Sequence, residues 1–349
     1  MAFSVLNVSD FRNLSSIQLQ PGSGMNLILG ENAAGKTSIL EALYYLGRGR
    51  SFRTSDARKL ISQGKDCFEL FAKIEKATSH SVGVRRARHG LDLRVDGRTT
   101  NRFSDIARYF PVQLITPRSH ELLERGPDFR RRFLDWGVFH VEHQFNLTVA
   151  RYKRALRQRN HALHTGGEVE PWEGILADLG ERIDLSRSRF LKLLEKEARG
   201  FHDVLGAADG LAMSYQSGWP RELSLGQALE KKRDVDRKRQ FTSVGPHRAD
   251  IQIRSSGKKA SDWLSRGQQK ILVFALSLAQ AEVIGAAGDQ RVTLLVDDFA
   301  AELDADHRQL VVSVLSRSGN QVLMTALDNA GVPPGSWDRV FHVEHGSLT

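Results

Sequence analysis

A glycine-bounded loop near the N-terminus restricts the fold of this chain more than any other feature. It follows Met25–Leu29, a short apolar run with strand character, and it opens a segment with helical spacing that extends to Leu46. The loop consists of Gly30, Glu31, Asn32, Ala33, Ala34, Gly35, Lys36 and Thr37. Glycines let backbone N–H groups curl around phosphate oxygens, and a helix start favours anions. The order of strand, loop and helix therefore predicts an α/β fold with a P-loop that binds a nucleotide.

The polar side chains of this loop predict the cofactors. Lys36 would reach the β and γ phosphates of ATP, and the Thr37 hydroxyl would hold Mg²⁺. We expect Ser38, the next residue, to belong to the same binding segment. A glycine-rich turn without a ligand is the alternative interpretation, and the strand before the loop and the helix after it disfavour that alternative.

A second part of the site is predicted where a buried strand ends in acidic residues. The apolar run Val292–Val296 is followed by Asp297 and Asp298. Asp297 would hold Mg²⁺ through water, and Asp298 would act as the base or orient the attacking water. An ordinary polar strand end is the alternative, and it would be preferred if the P-loop were absent.

The segment from Leu264 to Lys270 separates classes of P-loop protein. It reads Leu-Ser-Arg-Gly-Gln-Gln-Lys and resembles the ABC signature LSGGQ, with Arg266 in place of the first glycine. Ser265, Gly267 and Gln268 would present a hydroxyl and N–H groups at a helix start. The resemblance implies that this signature completes the ATP site of a second copy in a head-to-tail homodimer. A capped helix start, with Ser265 as N-cap, is the alternative.

The distribution of strand and helix patterns predicts two lobes of an ABC-type ATPase head. Residues 1–110 and 289–349 are predicted to form lobe I, with a mixed sheet built from both ends of the chain. Residues 111–288 are predicted to form a mainly helical lobe II that carries the signature. Helical spacing without a sustained heptad repeat predicts several helices and no long coiled coil.

The spacing of motifs and several further stretches resemble one family. Lys36 and Ser265 are 229 positions apart, long for a transporter head and short for an SMC-type protein. The further stretches are Phe11-Arg12-Asn13, Glu41–Leu46 with Gly49–Arg53, Gly126-Pro127 with Arg130–Asp135, Gly245–Asp250, Ala301–Asp304 as a D-loop, and Phe341–Glu344. Together they are similar to the RecF family of ABC-type ATPases over essentially the whole chain.

The RecF resemblance implies a function in recombinational DNA repair and replication restart. It implies ATP-dependent binding of duplex DNA near single-strand gaps, help in loading RecA with RecR and RecO, and Arg12 among the nucleotide-binding residues. Asp298 stands where the family of ATPases usually has glutamate, so we expect weak, DNA-stimulated hydrolysis. The transporter switch histidine is absent, and Thr325 or Asp328 lies nearest to its position. His247 and Arg248 are expected to have a structural role.

The charge of the chain agrees with a polyanionic partner. Fifty Lys and Arg against 41 Asp and Glu give a net charge of +9. Between Arg130 and Arg159 there are eight basic and two acidic residues. The DNA contacts predicted from this segment are Arg130, Arg131, Arg132, Lys153, Arg154 and Arg157. A solvated basic face is the alternative for each of these residues.

Two other functions stay open from the sequence. One is the ATPase subunit of a membrane transporter, and the other is a scaffold that binds ATP without hydrolysing it. The N-terminus has no secretory signal, and the most apolar run, Ile271–Ala281, is short for a membrane span. Cys67 is the only cysteine, so disulfides and zinc clusters are excluded. We therefore expect a cytoplasmic protein without a membrane partner.

Overall fold

The computed structural model describes residues 2–75, 78–206, 210–288, 291–299, 303–329, 332–333 and 337–348. The strands are β1 (Ala2–Phe11), β2 (Leu14–Leu19), β3 (Met25–Leu29), β4 (Cys67–Glu75), β5 (His80–Ala87), β6 (Gly90–Val95), β7 (Arg98–Thr100), β8 (Val112–Ile115), β9 (Ala212–Gln216), β10 (Asp250–Ser255), β11 (Lys258–Lys259), β12 (Thr293–Val296), β13 (Gln321–Ala326), β14 (Arg339–Glu344) and β15 (Ser347–Leu348). The helices are α1 (Lys36–Arg48), α2 (Phe103–Ala107), α3 (Glu121–Glu124), α4 (Pro127–Val141), α5 (Phe145–Thr165), α6 (Glu170–Val204), α7 (Leu225–Arg239), α8 (Ala260–Trp263), α9 (Arg266–Gly288) and α10 (Ala305–Arg317), with a 3₁₀ turn at Ala57–Leu60.

The chain divides into two compact units. Unit 1 comprises Met1–Ser119 and Ile284–Thr349, and unit 2 comprises His120–Val283. The sequence placed the boundaries at 110/111 and 288/289. The first boundary falls later in the structure because β8 pairs in parallel with β12 and so belongs to the sheet of unit 1. The second falls earlier, inside α9.

Unit 1 contains two sheets. The first is antiparallel, in the order β2-β1-β4-β5-β6-β7. The second has the order β15-β14-β3-β13-β12-β8, in which the pairs from β14 to β8 are parallel. The second sheet pairs Met25 with Val322 and thus joins both ends of the chain, as the predicted mixed sheet requires.

The end of α1 differs from the prediction, in which helical spacing extended to Leu46. The helix continues to Arg48, and Gly49, with φ of 66°, caps it by donating its N–H to the Tyr45 oxygen. Gly47 is buried instead. A Cβ there would lie 2.7 Å from Cγ2 of Val112, so the glycine allows β8 to approach the helix closely.

Unit 2 is mainly helical, as predicted. Its longest helix, α6, has 35 residues, and α5 ends at Gly166, so the helical region is several helices. Within the described residues no helix continues into a long coiled coil. A small antiparallel sheet in the order β11-β10-β9 was not predicted.

Helix α9 accounts for the most apolar part of the chain. Among the described residues, it is the helix long and apolar enough to cross a membrane. The short apolar run Ile271–Ala281 lies inside this longer helix of 23 residues. However, 72% of its most apolar window is buried inside the protein, so packing in a core explains its composition.

Candidate nucleotide-binding site

The loop between β3 and α1 is held in a conformation that exposes its backbone. Gly30 has φ of 155°, and a Cβ on it would lie 2.3 Å from the Val343 carbonyl oxygen. The Gly346 N–H donates to the Ala34 oxygen at 2.8 Å, which ties the loop to the C-terminal hairpin. Contacts within the chain thus stabilise the loop conformation, and backbone N–H groups at a helix start are what a phosphate cradle requires.

The Lys36 side chain lies across this loop. Its Nζ donates to the Gly30 oxygen and, at 2.9 Å, to the Glu31 oxygen. Burial lowers the pKa of Lys36, and the nearby Asp298 and Asp297 carboxylates oppose that shift. The ammonium group therefore rests beside the two aspartates that the sequence assigned to the same site.

Asp297 contacts the P-loop directly. Its Oδ1 accepts from the Thr37 hydroxyl at 3.0 Å and from the Thr325 hydroxyl at 3.0 Å. Burial raises the pKa of Asp297, and these two hydrogen bonds act in the opposite direction. A carboxylate and a hydroxyl side by side are hard oxygen donors, and this donor set fits Mg²⁺.

Asp298 follows in a turn with an unusual backbone. Its φ is 48°, and its N–H donates to the Thr325 hydroxyl at 2.9 Å. Thr325 thus joins both aspartates. Sequence analysis placed it only near the missing switch histidine, and the available signal was a polar residue between the apolar Met324 and Ala326.

These residues line one cavity of about 660 Å³ in unit 1. Its lining consists of Arg12, Asn13, Glu31, Asn32, Ala33, Ala34, Gly35, Lys36, Thr37, Ser38, Arg53, Lys59, Ile61, Asp297, Asp298, Thr325 and Leu327. The volume lies within the range of small-molecule sites. The structure therefore brings together the P-loop residues and both aspartates that the sequence singled out.

Arg12 and Ser38 are fixed by neighbours inside the protein. The Arg12 guanidinium donates twice to the fully buried Glu41, at 3.0 and 2.9 Å. The Ser38 hydroxyl donates to Oδ1 of Asn13 at 2.7 Å, and Asn13 Nδ2 donates to the Ala33 oxygen. Ser38 thus supports the loop through Asn13, whereas Arg12 presents a fixed cation at the cavity wall.

The signature segment, in unit 2, begins α9 with a reciprocal cap. The Ser265 hydroxyl accepts from the Gln268 N–H at 3.3 Å, and the Ser265 N–H donates to Gln268 Oε1 at 3.0 Å. The capped helix start that the sequence offered as an alternative is therefore present. It does not exclude phosphate binding, because the cap uses the hydroxyl as an acceptor and leaves its hydrogen to donate. Gly267 is half-buried beside them.

The D-loop prediction is described only in part. Ala301 and Glu302 lie outside the described residues. Asp304 is the N-cap of α10, where its side chain accepts from the His307 N–H. The acidic residue at the end of this segment therefore starts a helix.

The structure does not favour Arg130 as a DNA contact, and it gives Arg131 a hydrogen-bond partner within unit 2. Arg130 is buried and donates to both carboxylate oxygens of Asp250, at 2.8 and 3.0 Å. Arg131 donates to the Ala249 oxygen at 2.7 Å. Both guanidinium groups therefore have partners within unit 2. These partners are the Ala249 carbonyl and Asp250 at the start of β10, 118 and 120 positions away, so the local sequence does not reveal them.

The remaining predicted contacts are at the surface. Lys153, Arg154 and Arg157 are exposed on α5. Arg132 is also exposed and forms an ion pair with Asp128. Arg132 therefore has an acidic neighbour on its own helix, whereas the α5 residues form a cationic stripe.

The segment Gly245–Asp250 is connected to the segment Arg130–Asp135 of unit 2. Arg187 pairs with Asp135 at 2.7 Å and donates to the Pro246 oxygen. His247 accepts from the Tyr152 hydroxyl and donates to the Thr242 oxygen at 3.0 Å, and burial lowers the pKa of His247 to about 4. These motifs hold each other in place.

Comparisons with known proteins extend over the whole chain. A family profile described as RecF/RecN/SMC N terminal domain matches residues 2–346. A Shewanella baltica protein described as DNA replication and repair protein RecF is 39% identical, over 100% of this chain and 99% of the relative. The Shewanella denitrificans protein of the same description is 37% identical with the same coverage.

Solved structures give the same result. The recombination mediator protein RecF-ATP in the RecFOR pathway matches with a TM-score of 0.89 at 26% identity, covering 100% of this chain and 97% of that chain. An Smc head bound to the C-winged helix domain of ScpA matches with a TM-score of 0.60 at 15% identity, covering 100% and 96%. The second match is one of fold alone.

Proposed function

The chain belongs to the RecF family of SMC-like ATPases, and from that premise we propose that it is an ATP-dependent DNA-binding protein of recombinational repair and replication restart. ATP drives a head-to-tail homodimer, the dimer clamps duplex DNA near single-strand gaps, and slow hydrolysis releases it. RecR, RecO and RecA are the partners that family membership suggests, in the cytoplasm.

One observation supports this proposal above the others: Lys36, Thr37, Asp297 and Asp298 line a single cavity. The loop N–H groups and Lys36 would bind the phosphates, with Arg12 adding positive charge at the wall. Mg²⁺, held by Thr37 and Asp297, would neutralise phosphate charge. Asp298 would accept a proton from the attacking water or orient that water.

The proposed dimer supplies what one copy lacks. Ser265, Gly267 and Gln268 would face the γ-phosphate held by the other copy, through the serine O–H and the helix-start N–H groups. Asp298 is one methylene shorter than glutamate and would therefore reach the water less well, which is consistent with a weak, DNA-stimulated ATPase used as a switch.

The test is to measure mass by light scattering with ATP, ADP or no nucleotide, with and without a gapped duplex. The wild-type protein should double its mass with ATP, and Ser265→Arg should bind ATP yet stay monomeric because the arginine fills the phosphate position. Ser316→Arg, at an exposed serine on α10, is the matched control. ATP-dependent dimers of Ser265→Arg would contradict the proposal.

A second measurement separates the switch from a scaffold that never hydrolyses ATP. Phosphate release should be slow and should rise with duplex DNA, and Asp298→Asn should lose it while keeping the ATP-bound dimer. Rapid turnover by Asp298→Asn would remove Asp298 from the proposed role. The transporter alternative has no support from family membership.

A further inference from the structure

Thr325 is a polar residue in a place where the strand needs only apolar side chains. It lies near the end of β13, pairs with Ile28 of β3, and is 1% exposed. Its strand neighbours Met324 and Ala326 are buried and apolar. Valine has nearly the same shape and would fill this position. The hydroxyl group of Thr325 is therefore explained by the hydrogen bonds that it forms.

The hydroxyl of Thr325 both accepts and donates a hydrogen bond. It accepts from the Asp298 N–H at 2.9 Å and donates to Asp297 Oδ1 at 3.0 Å. A threonine hydroxyl has one hydrogen to donate, and here that hydrogen is directed at a buried carboxylate. One oxygen atom therefore connects the two consecutive acidic residues of the site.

The backbone of the turn Asp297–Phe299 is held by three hydrogen bonds, and the middle one, at Asp298, goes to the Thr325 hydroxyl. The Asp297 N–H donates to the Ile115 oxygen at 2.9 Å, and the Phe299 N–H donates to the Thr325 oxygen at 3.2 Å. Both of these bonds join backbone groups. Between them, the Asp298 N–H is held by a side chain, at a residue whose φ of 48° is unfavourable for any residue with a Cβ.

We infer that Thr325 is a positioning residue for ATP hydrolysis: its hydroxyl sets the direction of the Asp298 carboxylate relative to Asp297. This inference rests on the proposed function. The left-handed backbone at Asp298 determines where its side chain projects, and the hydrogen bond to Thr325 keeps that backbone in place. The second bond fixes Asp297 Oδ1, to which the Thr37 hydroxyl also donates. Hydrogen bonds therefore connect the P-loop, Asp297 and Asp298.

The activity test uses variants of nearly equal shape. Thr325→Val removes the hydroxyl and keeps the volume, and Thr325→Ser keeps the hydroxyl. We expect Thr325→Val to lower kcat by about tenfold or more, with a change in the KM for ATP below about threefold, since the loss concerns the orientation of the attacking group. Thr325→Ser should restore most of kcat.

Thr293→Val is the matched structural control. Thr293 is a buried threonine at the opposite end of the same sheet, where its hydroxyl contacts Gln321 Oε1 at 3.5 Å. It should leave kcat unchanged. Wild-type kcat in Thr325→Val, equal losses in the valine and serine variants, or a loss of ATP binding in place of kcat would each overturn the inference.

A readout without turnover tests the same geometry. Residue-resolved hydrogen exchange of the nucleotide-free protein should show the Asp298 amide exchanging about tenfold faster in Thr325→Val. The Asp297 amide, bonded to Ile115, should keep its protection. Unchanged protection at Asp298 would contradict the inference. Because this comparison needs no ATP, it separates failure of the inference from absence of ATPase activity in the wild-type protein.

Discussion

Several charged side chains of the two units differ in where their partners lie. In unit 1, Lys36 and Asp298 line an open cavity of about 660 Å³. In unit 2, Arg130, Arg159 and Arg187 are buried and directed at carboxylates of the same unit. The first set faces a cavity, whereas the second set has its counter-charges within the same unit.

This contrast shows that a charged motif residue is not evidence of a ligand until its neighbours are known. Asp298 has a positive φ beside the cavity, and Lys36 donates to a carbonyl of its own loop, which is consistent with the proposed phosphate site. The pairing of Arg130 with Asp250 is a feature of a packed core. The contrast predicts which substitutions destabilise the protein and which affect only binding.

Arg159→Met should have the largest effect, and it acts on stability. Arg159 is fully buried and donates to Asp236 and Glu173, so its loss leaves the buried Asp236 carboxylate without a cation. We expect a loss of about 3–5 kcal/mol in the free energy of unfolding, measured by urea denaturation. Arg157→Met, exposed on the same helix, should change it by less than about 0.5 kcal/mol. Similar stability of the two variants would show that the buried ion pairs of unit 2 do not stabilise the fold more than its exposed charges do.

Lys36→Met should give the opposite pattern, a large effect on binding with little effect on folding. We expect ATP affinity to fall about hundredfold, because charge-assisted hydrogen bonds to the phosphates are lost. The urea midpoint should stay near that of the wild-type protein, since Lys36 Nζ bonds carbonyl oxygens of its own loop. A fluorescent ATP analogue gives the affinity, with Lys65→Met, an exposed lysine paired with Asp10, as control. Unchanged affinity in Lys36→Met would refute the site.

A pH titration sharpens the contrast within unit 2. Burial lowers the pKa of His247 to about 4, whereas in the unfolded chain it is about 6.5. The folded state therefore favours neutral His247, and its contribution is complete above pH 6.5 and is lost as the pH falls toward 4. We expect a loss of about 1–2 kcal/mol between pH 7 and pH 5. His247→Gln should reduce this slope, and equal slopes in both proteins would show that His247 does not titrate there.

The parts of the molecule that the sequence predicted correctly are local. The P-loop, its flanking strand and its helix are continuous in the chain, and the backbone chemistry of each residue type is sufficient to identify them. The mixed sheet and the helical unit follow from periodicity in the same way. Asp297 and Asp298 were found because they end a recognisable apolar strand.

The parts that the sequence did not predict depend on contacts between distant residues. The bond from Asp298 to Thr325 spans 27 positions, and that from Arg130 to Asp250 spans 120. No periodic pattern reports such a pairing, so Arg130 was taken for a surface residue. The helix was predicted to end before Gly47, since the sequence does not reveal the close approach of β8 to this glycine.

The smallest predicted effect concerns the charges of unit 2 that remain exposed. Lys153, Arg154 and Arg157 lie on α5 and could follow a phosphate backbone without reading bases. Arg154→Ala should weaken binding to a gapped duplex by about threefold to tenfold and reduce the salt slope by about 1. Fluorescence anisotropy at several salt concentrations measures both, with Lys196→Ala, exposed on α6, as the control. If Arg154→Ala and the control have the same slope, this stripe does not bind DNA. The basic charge of α5 would then be a solvated face, and the DNA surface would have to lie elsewhere on the protein.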